Sequence, residues 1–332
     1  MHLVILSSLF FVINFSNGQS SSSTTALLPS NSSSINQCAH LQESRCQCFE
    51  QTEESSQSHS KPQPSTTIGL RVECSNMTGL LLHTDIERIS NTKKLPIFSL
   101  SVKDSRMDDL TGLPSPLVDL RHLTLDKTGI DLEQVRESSE ILKDLKTFKV
   151  LREKFTEIPE NFFQDLHHVS NLALNDVGMA AISEDGFKFL EDSLKELSLR
   201  QNKLRRIPVA VEFLYLLEYL DLSDNDIRTV SDDVTKRLES GLRSLSRLTI
   251  NTINCSCSFG SSDFVMWIRS HAIRGVTCRY PAHLHGRDIS STYLEDLCST
   301  SGTSSWKEMY CFRLIIILLV LSWFRSKMTR NM

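Results

Sequence analysis

Apolar residues along this chain fall into a recurring eleven-residue register, with apolar side chains at positions 1, 4, 6 and 11. Seven stretches fit it: IFSLSVKDSRM from Ile97, LRHLTLDKTGI from Leu120, LKTFKVLREKF from Leu145, VSNLALNDVGM from Val169, LKELSLRQNKL from Leu194, LEYLDLSDNDI from Leu217 and LSRLTINTINC from Leu245. Successive starts lie 23 to 28 residues apart. Positions 4 and 6 are two apart, as on one face of a β-strand, while 1 and 11 turn the chain into the same interior. A single unit cannot bury that face alone, so the pattern predicts stacked units that share one continuous core. Their short strands lie side by side on a concave side, with returning segments on the convex side. Phe163 with Leu166, Phe187 with Leu190 and Val211 with Leu214 repeat a second apolar motif after three of the strands, which suits the convex return.

Self-similarity at this period and with this pattern resembles the leucine-rich repeat family. The resemblance implies an α/β fold: a curved, horseshoe-shaped leucine-rich repeat solenoid with parallel strands on its concave face. At position 9, Asn202 and Asn225 fit the family best, because a buried amide there can bond backbone groups of the turn in its own and the adjacent repeat. The other units carry Ser105, Thr128, Glu153, Val177 and Ile253 at that position. The first stretch, from Ile97, is the weakest match and also suits a cap segment shifted in register.

The chain termini and the cysteines point to an oxidising compartment. Leu3 to Phe15 is almost continuously apolar and is followed by the small residues Ser16 and Gly18, the pattern of a secretory signal peptide over residues 1–18. Nine cysteines follow. Cys38, Cys46, Cys48 and Cys74 precede the first unit, Cys255, Cys257, Cys278 and Cys298 follow the last strand, and Cys311 is left over. Sets of four bracketing a repeat array predict disulfide-stapled caps that shield the terminal apolar cores from water. Zinc is the other chemistry for clustered cysteines, and a secreted context disfavours it. The segment from Cys255 to Cys298 resembles the cysteine-rich C-terminal flank of extracellular leucine-rich repeat proteins: Cys-x-Cys, Trp267 on an expected amphipathic helix, the step from Cys278 to Pro281, Gly286 and a final cysteine. That resemblance implies pairing of Cys255 with Cys278 and of Cys257 with Cys298, each contributing about 3 to 4 kcal/mol on a chain-entropy view. The CQC run and VECSNMTGL resemble the matching N-terminal flank, with a Ser-, Gln-, Glu- and Pro-rich insertion between Cys48 and Cys74 that leaves the pairing there open.

The expected organisation is then a signal peptide (1–18), a Ser/Thr-rich disordered leader (19–37) and an N-terminal cap (38–94) with a disordered insert at 50–67. About seven repeats (95–254) and a C-terminal cap (255–298) come next, then a juxtamembrane linker (299–308), a transmembrane segment (309–324) and a cytoplasmic tail (325–332). Asn31 and Asn76 head glycosylation sequons; Asn254 heads a third whose middle residue, Cys255, is expected in a bridge. Met309 to Phe324 would reach about 24 Å as a helix, short of the ~30 Å hydrocarbon core, so Arg313 must snorkel or the bilayer must thin. Arg325, Lys327 and Arg330 favour a single span with a cytoplasmic C-terminus and an extracellular N-terminus, that is, a type I plasma-membrane protein. Small residues at Ser299 to Ser305 ahead of the apolar stretch keep a GPI signal as the alternative, and outright secretion as another. On the type I topology Cys311 faces outward as a free or intermolecular thiol, and the tail is too short for a folded signalling domain.

No HExxH, GxSxG or GxxxxGK[ST] motif is present, so neither an enzyme nor a cofactor is expected. His283, His285, His167 and His168 suit a cap loop and a turn better than a metal site. A net charge of −4 gives no reason to expect nucleic acid. Function is therefore sought on outward strand positions 3, 5, 7 and 8, where His122, Lys127, Lys149, Arg152 and Arg200 form a basic half before the acidic edge of Asp221 and Asp224. Tyr219 is the expected anchor, since aromatic residues are enriched at interface hot spots. The expected function is a cell-surface recognition or adhesion protein binding another protein, with a co-receptor to carry any signal. The alternative is a shed or secreted matrix component binding collagen or glycans.

Overall fold

The computed structural model describes residues 44–55, 65–107, 117–137, 142–255 and 262–297. A hairpin of β1 (Cys46–Ser55) and β2 (Ser65–Ser75) leads into helix α1 (Gly79–Lys93). Every predicted unit then contributes a strand: β3 (Ile97–Lys103), β4 (His122–Asp126), β5 (Thr147–Leu151), β6 (Asn171–Asn175), β7 (Glu196–Ser198), β8 (Tyr219–Asp221) and β9 (Arg247–Asn254). A last strand, β10 (Arg274–Tyr280), follows helix α2 (Leu132–Arg136), helix α3 (Asp232–Gly241) and helix α4 (Ser262–Ser270) in the chain. The strands form one sheet in sequence order, antiparallel between β1 and β2 and parallel from β2 onward. The stretch from Ile97 is a full member: Ser99 pairs with His122 and Leu100 with Leu123, in the register of all later units.

The core is the template made physical. Residues at positions 4 and 6 of all seven units are no more than 2 % exposed. Position 1 is also buried throughout, from Ile97 to Leu245. On the convex side Phe163, Leu166, Phe187, Leu190, Val211 and Leu214 are buried as expected. Phe162 joins them, and its ring lies 6.2 Å from that of Phe148 and 4.8 Å from that of Phe163, which continues to Phe187 at 6.2 Å. These aromatic side chains carry the core from strand to convex turn.

The turn after each strand has its own rule. Position 8 adopts a left-handed conformation in six units, at Asp104, Lys127, Arg152, Asp176, Gln201 and Asp224, with φ between 45° and 58°. Position 9 then reaches inward to satisfy the backbone it leaves behind. The Asn202 amide nitrogen donates to the Leu174 and Leu199 carbonyls at 2.7 and 3.0 Å, and its oxygen accepts from the Val177, Gly178 and Met179 N–H groups. Asn225 repeats this one unit on, donating to Leu199 and Leu222 and accepting from Leu204 N–H. Glu153, which has no amide, keeps the acceptor half alone: its buried carboxylate takes the Thr128 N–H and hydroxyl and the Gly129 N–H. Ser105 accepts from Met77 N–H and donates to the Lys103 carbonyl.

Both ends of the core are capped. α1 buries Leu82, Ile86 and Ile89 at the N-terminal end, where a disulfide joins Cys46 to Cys74. Cys48 is disulfide-bonded as well, to a partner outside the described residues. At the other end α4 buries Phe264, Trp267 and Ile268, and Cys255 is bonded to Cys278, the pairing that the family resemblance implies. Cys38, Cys257, Cys298, Cys311, Asn31, the signal peptide, the leader and everything from 298 on lie outside the described residues. Among those described, no helix is long and apolar enough to cross a membrane.

One expectation is corrected. Residues 50–55 and 65–67 do not belong to a disordered insert; they are the distal part of the β1–β2 hairpin, paired residue for residue from Glu50 with Leu70 to Ser55 with Ser65. Polar composition argued for disorder, yet threonines suit strands and the hairpin meets its own backbone hydrogen bonds.

Candidate functional site

Outward positions of the parallel strands form straight rows across the sheet. Position 3 reads Ser99, His122, Thr147, Asn171, Glu196, Tyr219 and Arg247; position 5 reads Ser101, Thr124, Lys149, Ala173, Ser198, Asp221 and Thr249. Most charged residues expected to meet a partner are bound to neighbouring repeats instead. Arg152 grips the buried Asp126 carboxylate with two hydrogen bonds, at 2.6 and 2.7 Å, and that contact holds its guanidinium pKa above the ordinary arginine value. Lys127 pairs with Asp104 at 3.1 Å, which lowers the Asp104 pKa. Arg200 pairs with Asp224 at 3.0 Å, and Asn251 donates to the same carboxylate, so that the Asp224 pKa is also lowered. These contacts join one turn of the solenoid to the next.

His122 is engaged differently. The end of the β1–β2 hairpin leaves the sheet where β2 stops pairing with β3, and it reaches past β3 to the start of β4. There Glu53 accepts from the Arg121 guanidinium and lies 3.0 Å from His122 Nε2. Gly69 makes this path available: a Cβ on it would fall 2.4 Å from the Phe98 ring. The Arg121 guanidinium lies over the same Phe98 ring, 4.6 Å from its centroid. Burial pushes the Glu53 pKa up, but Arg121 and His122 more than offset this and hold it below the ordinary glutamate value. The contact was illegible in the chain because it spans 68 residues and begins in a segment whose composition suggests disorder.

The middle of the concave face is open. A hollow of about 310 Å³ lies over Ala173, walled by Lys149, Leu151, Asn171, Asn175, Glu196 and Tyr219. It exists because position 5 carries only a methyl group at Ala173, between Lys149 and Ser198. Tyr219 is held in place: its hydroxyl donates to Asp221 at 3.3 Å and the Arg247 guanidinium lies 5.7 Å from its ring centroid. Asp221 also accepts from Ser223 N–H, so this expected partner contact serves first to orient Tyr219. Lys149 and Glu196 are exposed and have no side-chain partner among the described residues. Of the residues proposed from the chain alone, the structure gathers Lys149 and Tyr219 at one hollow and leaves His122, Arg152 and Arg200 in contacts elsewhere. Ala173, Asn175 and Glu196 were missed, and the small residue at position 5 was the signal available for the first.

Elsewhere, His283 and His285 are exposed on or beside a single-turn helix (Ala282–Leu284) that buries Leu284, and His167 and His168 sit at an exposed turn. No group of three His, Cys, Asp or Glu among the described residues is placed to hold a metal ion. Asn76 is exposed in a left-handed turn, whereas Asn254 is half-buried in β9 beside the bridged Cys255.

Residues 167–227 match the family described as Leucine rich repeat. The fold is a leucine-rich repeat solenoid with a mostly parallel ten-stranded sheet and disulfides in its caps. The chain is similar to the human volume-regulated anion channel subunit LRRC8A, 27% identical over 150 residues, 45% of this chain and 16% of that protein. It is also similar to the human subunit LRRC8E, 30% identical over 138 residues, 40% of this chain and 17% of that protein. The chain thus spans about a sixth of the length of these relatives. Among solved structures, human 5T4 (Wnt-activated inhibitory factor 1, trophoblast glycoprotein) aligns with a TM-score of 0.45 at 20% identity, over 61% of this chain and 77% of that one.

Proposed function

We propose that this chain is a recognition or adhesion protein of the cell surface, and that it binds an extracellular or cell-surface protein through the middle of its concave face. The observation that carries this reading is the hollow over Ala173, walled by a braced aromatic ring and by two charges without side-chain partners among the described residues. Repeat solenoids of this fold present such faces to proteins, and a rigid Tyr beside an apolar floor is the composition of an interface anchor. Bridged cysteines in both caps support an oxidising compartment. The chain then enters the secretory pathway through residues 1–18, carries a glycan at Asn76 and is held at the plasma membrane by residues 309–324, with a co-receptor carrying any signal.

The test is a screen of the segment Gln19 to Ser305, as a multimeric fusion, against a panel of cell-surface and matrix proteins that includes the segment itself. A cell-surface partner whose binding disappears with Tyr219→Ala and Lys149→Glu together is the expected result. Binding confined to collagen or glycans, or binding indifferent to both substitutions, would replace this reading with the matrix one. Release of the protein from cells by a phosphatidylinositol-specific phospholipase would replace the span with a GPI anchor.

A further inference from the structure

The charges of the concave side differ in what holds them, and Asp221 and Arg247 serve to brace Tyr219. Those near the turns, Asp104 with Lys127, Asp126 with Arg152 and Arg200 with Asp224, are neutralised within the solenoid. Around the hollow, Lys149 stands on one side and Glu196 on the other, each without a side-chain partner among the described residues. The register sets them two strands and two positions apart, with Cα atoms about 12 Å from one another by ordinary strand spacing and rise. They are not paired with one another, nor with another side chain among the described residues.

The hollow has further directionality. The Asn175 side-chain Oδ1 accepts from the Ser198 hydroxyl at 2.8 Å and from Arg200 N–H at 2.9 Å, which orients the amide and leaves its nitrogen without a hydrogen-bond partner among the described residues. Between the two charges lie the Ala173 methyl and the Asn171 side chain, and the hollow is further lined by Leu151 on the Lys149 side, by Ser198, and by the ring of Tyr219 on the Glu196 side. An exclusively acidic ligand would meet Glu196, and an exclusively basic one would meet Lys149. A ligand with both charges at its ends and a small centre that leaves room beside Asn171 and Ser198 meets both charges, and a wrong orientation is penalised by two like-charge contacts.

We infer that the hollow receives the tip of a protein loop carrying one acidic and one basic side chain, the acidic one on Lys149 and Asn175 and the basic one on Glu196. This rests on the reading of the concave face as the recognition surface and names the chemistry of its partner.

The experiment uses the full-length chain, captured through a C-terminal tag, and a random disulfide-constrained peptide library displayed on phage. Peptides are sorted by their dependence on the hollow, as those lost on Ala173→Trp and also on Tyr219→Ala, the second variant guarding against local misfolding in the first. Hollow-dependent peptides are expected to carry one acidic and one basic residue. Lys149→Glu and Glu196→Lys should each weaken them about thirtyfold, the scale of a single interface hot spot. Exchanging the two charges within a peptide should restore binding to the Lys149→Glu, Glu196→Lys double variant. Hollow-dependent peptides that lack either charge, or that ignore both charge reversals, overturn the inference while leaving a concave recognition face intact. A library that yields no hollow-dependent peptide overturns it as well, and a protein-panel partner lost on Tyr219→Ala would show that the broader reading survives.

Discussion

The opening of the array, from the hairpin to the turn after β5, and the strand face over β5 to β8 are built on the same template, and they present opposite surfaces. At the start of the array Glu53 of the hairpin takes Arg121 and His122, and Arg152 reaches back to Asp126. In the middle, Ala173 opens a hollow and leaves Lys149 and Glu196 to solvent. The template specifies only what faces inward, so outward residues are free either to join neighbouring repeats or to wait for a partner. A charge held by its neighbour loses most of its value to a ligand, because binding must first break that contact. Charge on a concave face is therefore a poor guide to a binding site until pairing is known.

The comparison can be broken most severely from inside. Asn202→Ala takes the side-chain acceptor from three N–H groups and the side-chain donor from the Leu174 carbonyl, and about 3 kcal/mol or more of stability should be lost in chemical denaturation. Glu153→Ala frees fewer backbone groups, Thr128 and Gly129 N–H, and a smaller loss is expected. Equal losses would show that the two kinds of turn do not differ in the way described.

A second test separates Arg152 from Lys149. Arg152→Ala leaves the Asp126 carboxylate buried without its cation and should lower Tm, whereas Lys149→Ala should leave stability within about 0.5 kcal/mol of the wild type. Lys149→Ala should nevertheless be the more damaging of the two to partner binding.

The hairpin contact offers a third test. Glu53→Gln should raise amide exchange in residues 65–69 about tenfold without changing Tm appreciably, as expected for local opening worth one charge-assisted hydrogen bond. Because the folded-state pKa of Glu53 lies below its unfolded value, the contact is at full strength above the unfolded pKa and is lost as pH falls through the folded one. Protection factors of the same residues, corrected for the intrinsic exchange rate, should therefore fall as pH drops below the ordinary glutamate range in the wild type, and should not fall further in the variant. The smallest effect is expected from Gln201→Gly, which relieves a left-handed φ of 58° while making the unfolded chain more flexible, a net gain of about 0.5 kcal/mol.

Much of the inward architecture was legible in the chain. Leu197 and Leu199, or Phe148 and Val150, announce a buried strand face because apolar alternation has no other economical explanation. Asn202 and Asn225 announced their turns because few side chains can both donate and accept in the interior. Glu153 did not, since a carboxylate ordinarily faces water and only the cluster of N–H groups behind it makes an interior position tolerable. The Cys255–Cys278 bond was implied by family resemblance, while the Cys46–Cys74 bond became evident only when β1 was found beside β2.

By itself the sequence determined the solenoid, the number and order of the repeats described and which side chains enter the core, because each of these depends on residues close together in the chain. The tertiary structure alone decided that Glu53 closes on His122, that Arg152 and Arg200 are committed to Asp126 and Asp224, and that Lys149 and Glu196 flank an open hollow. Those outcomes depend on distances between side chains of different repeats, and no local pattern encodes whether a surface charge will find its counter-charge in the fold or must receive it from a partner.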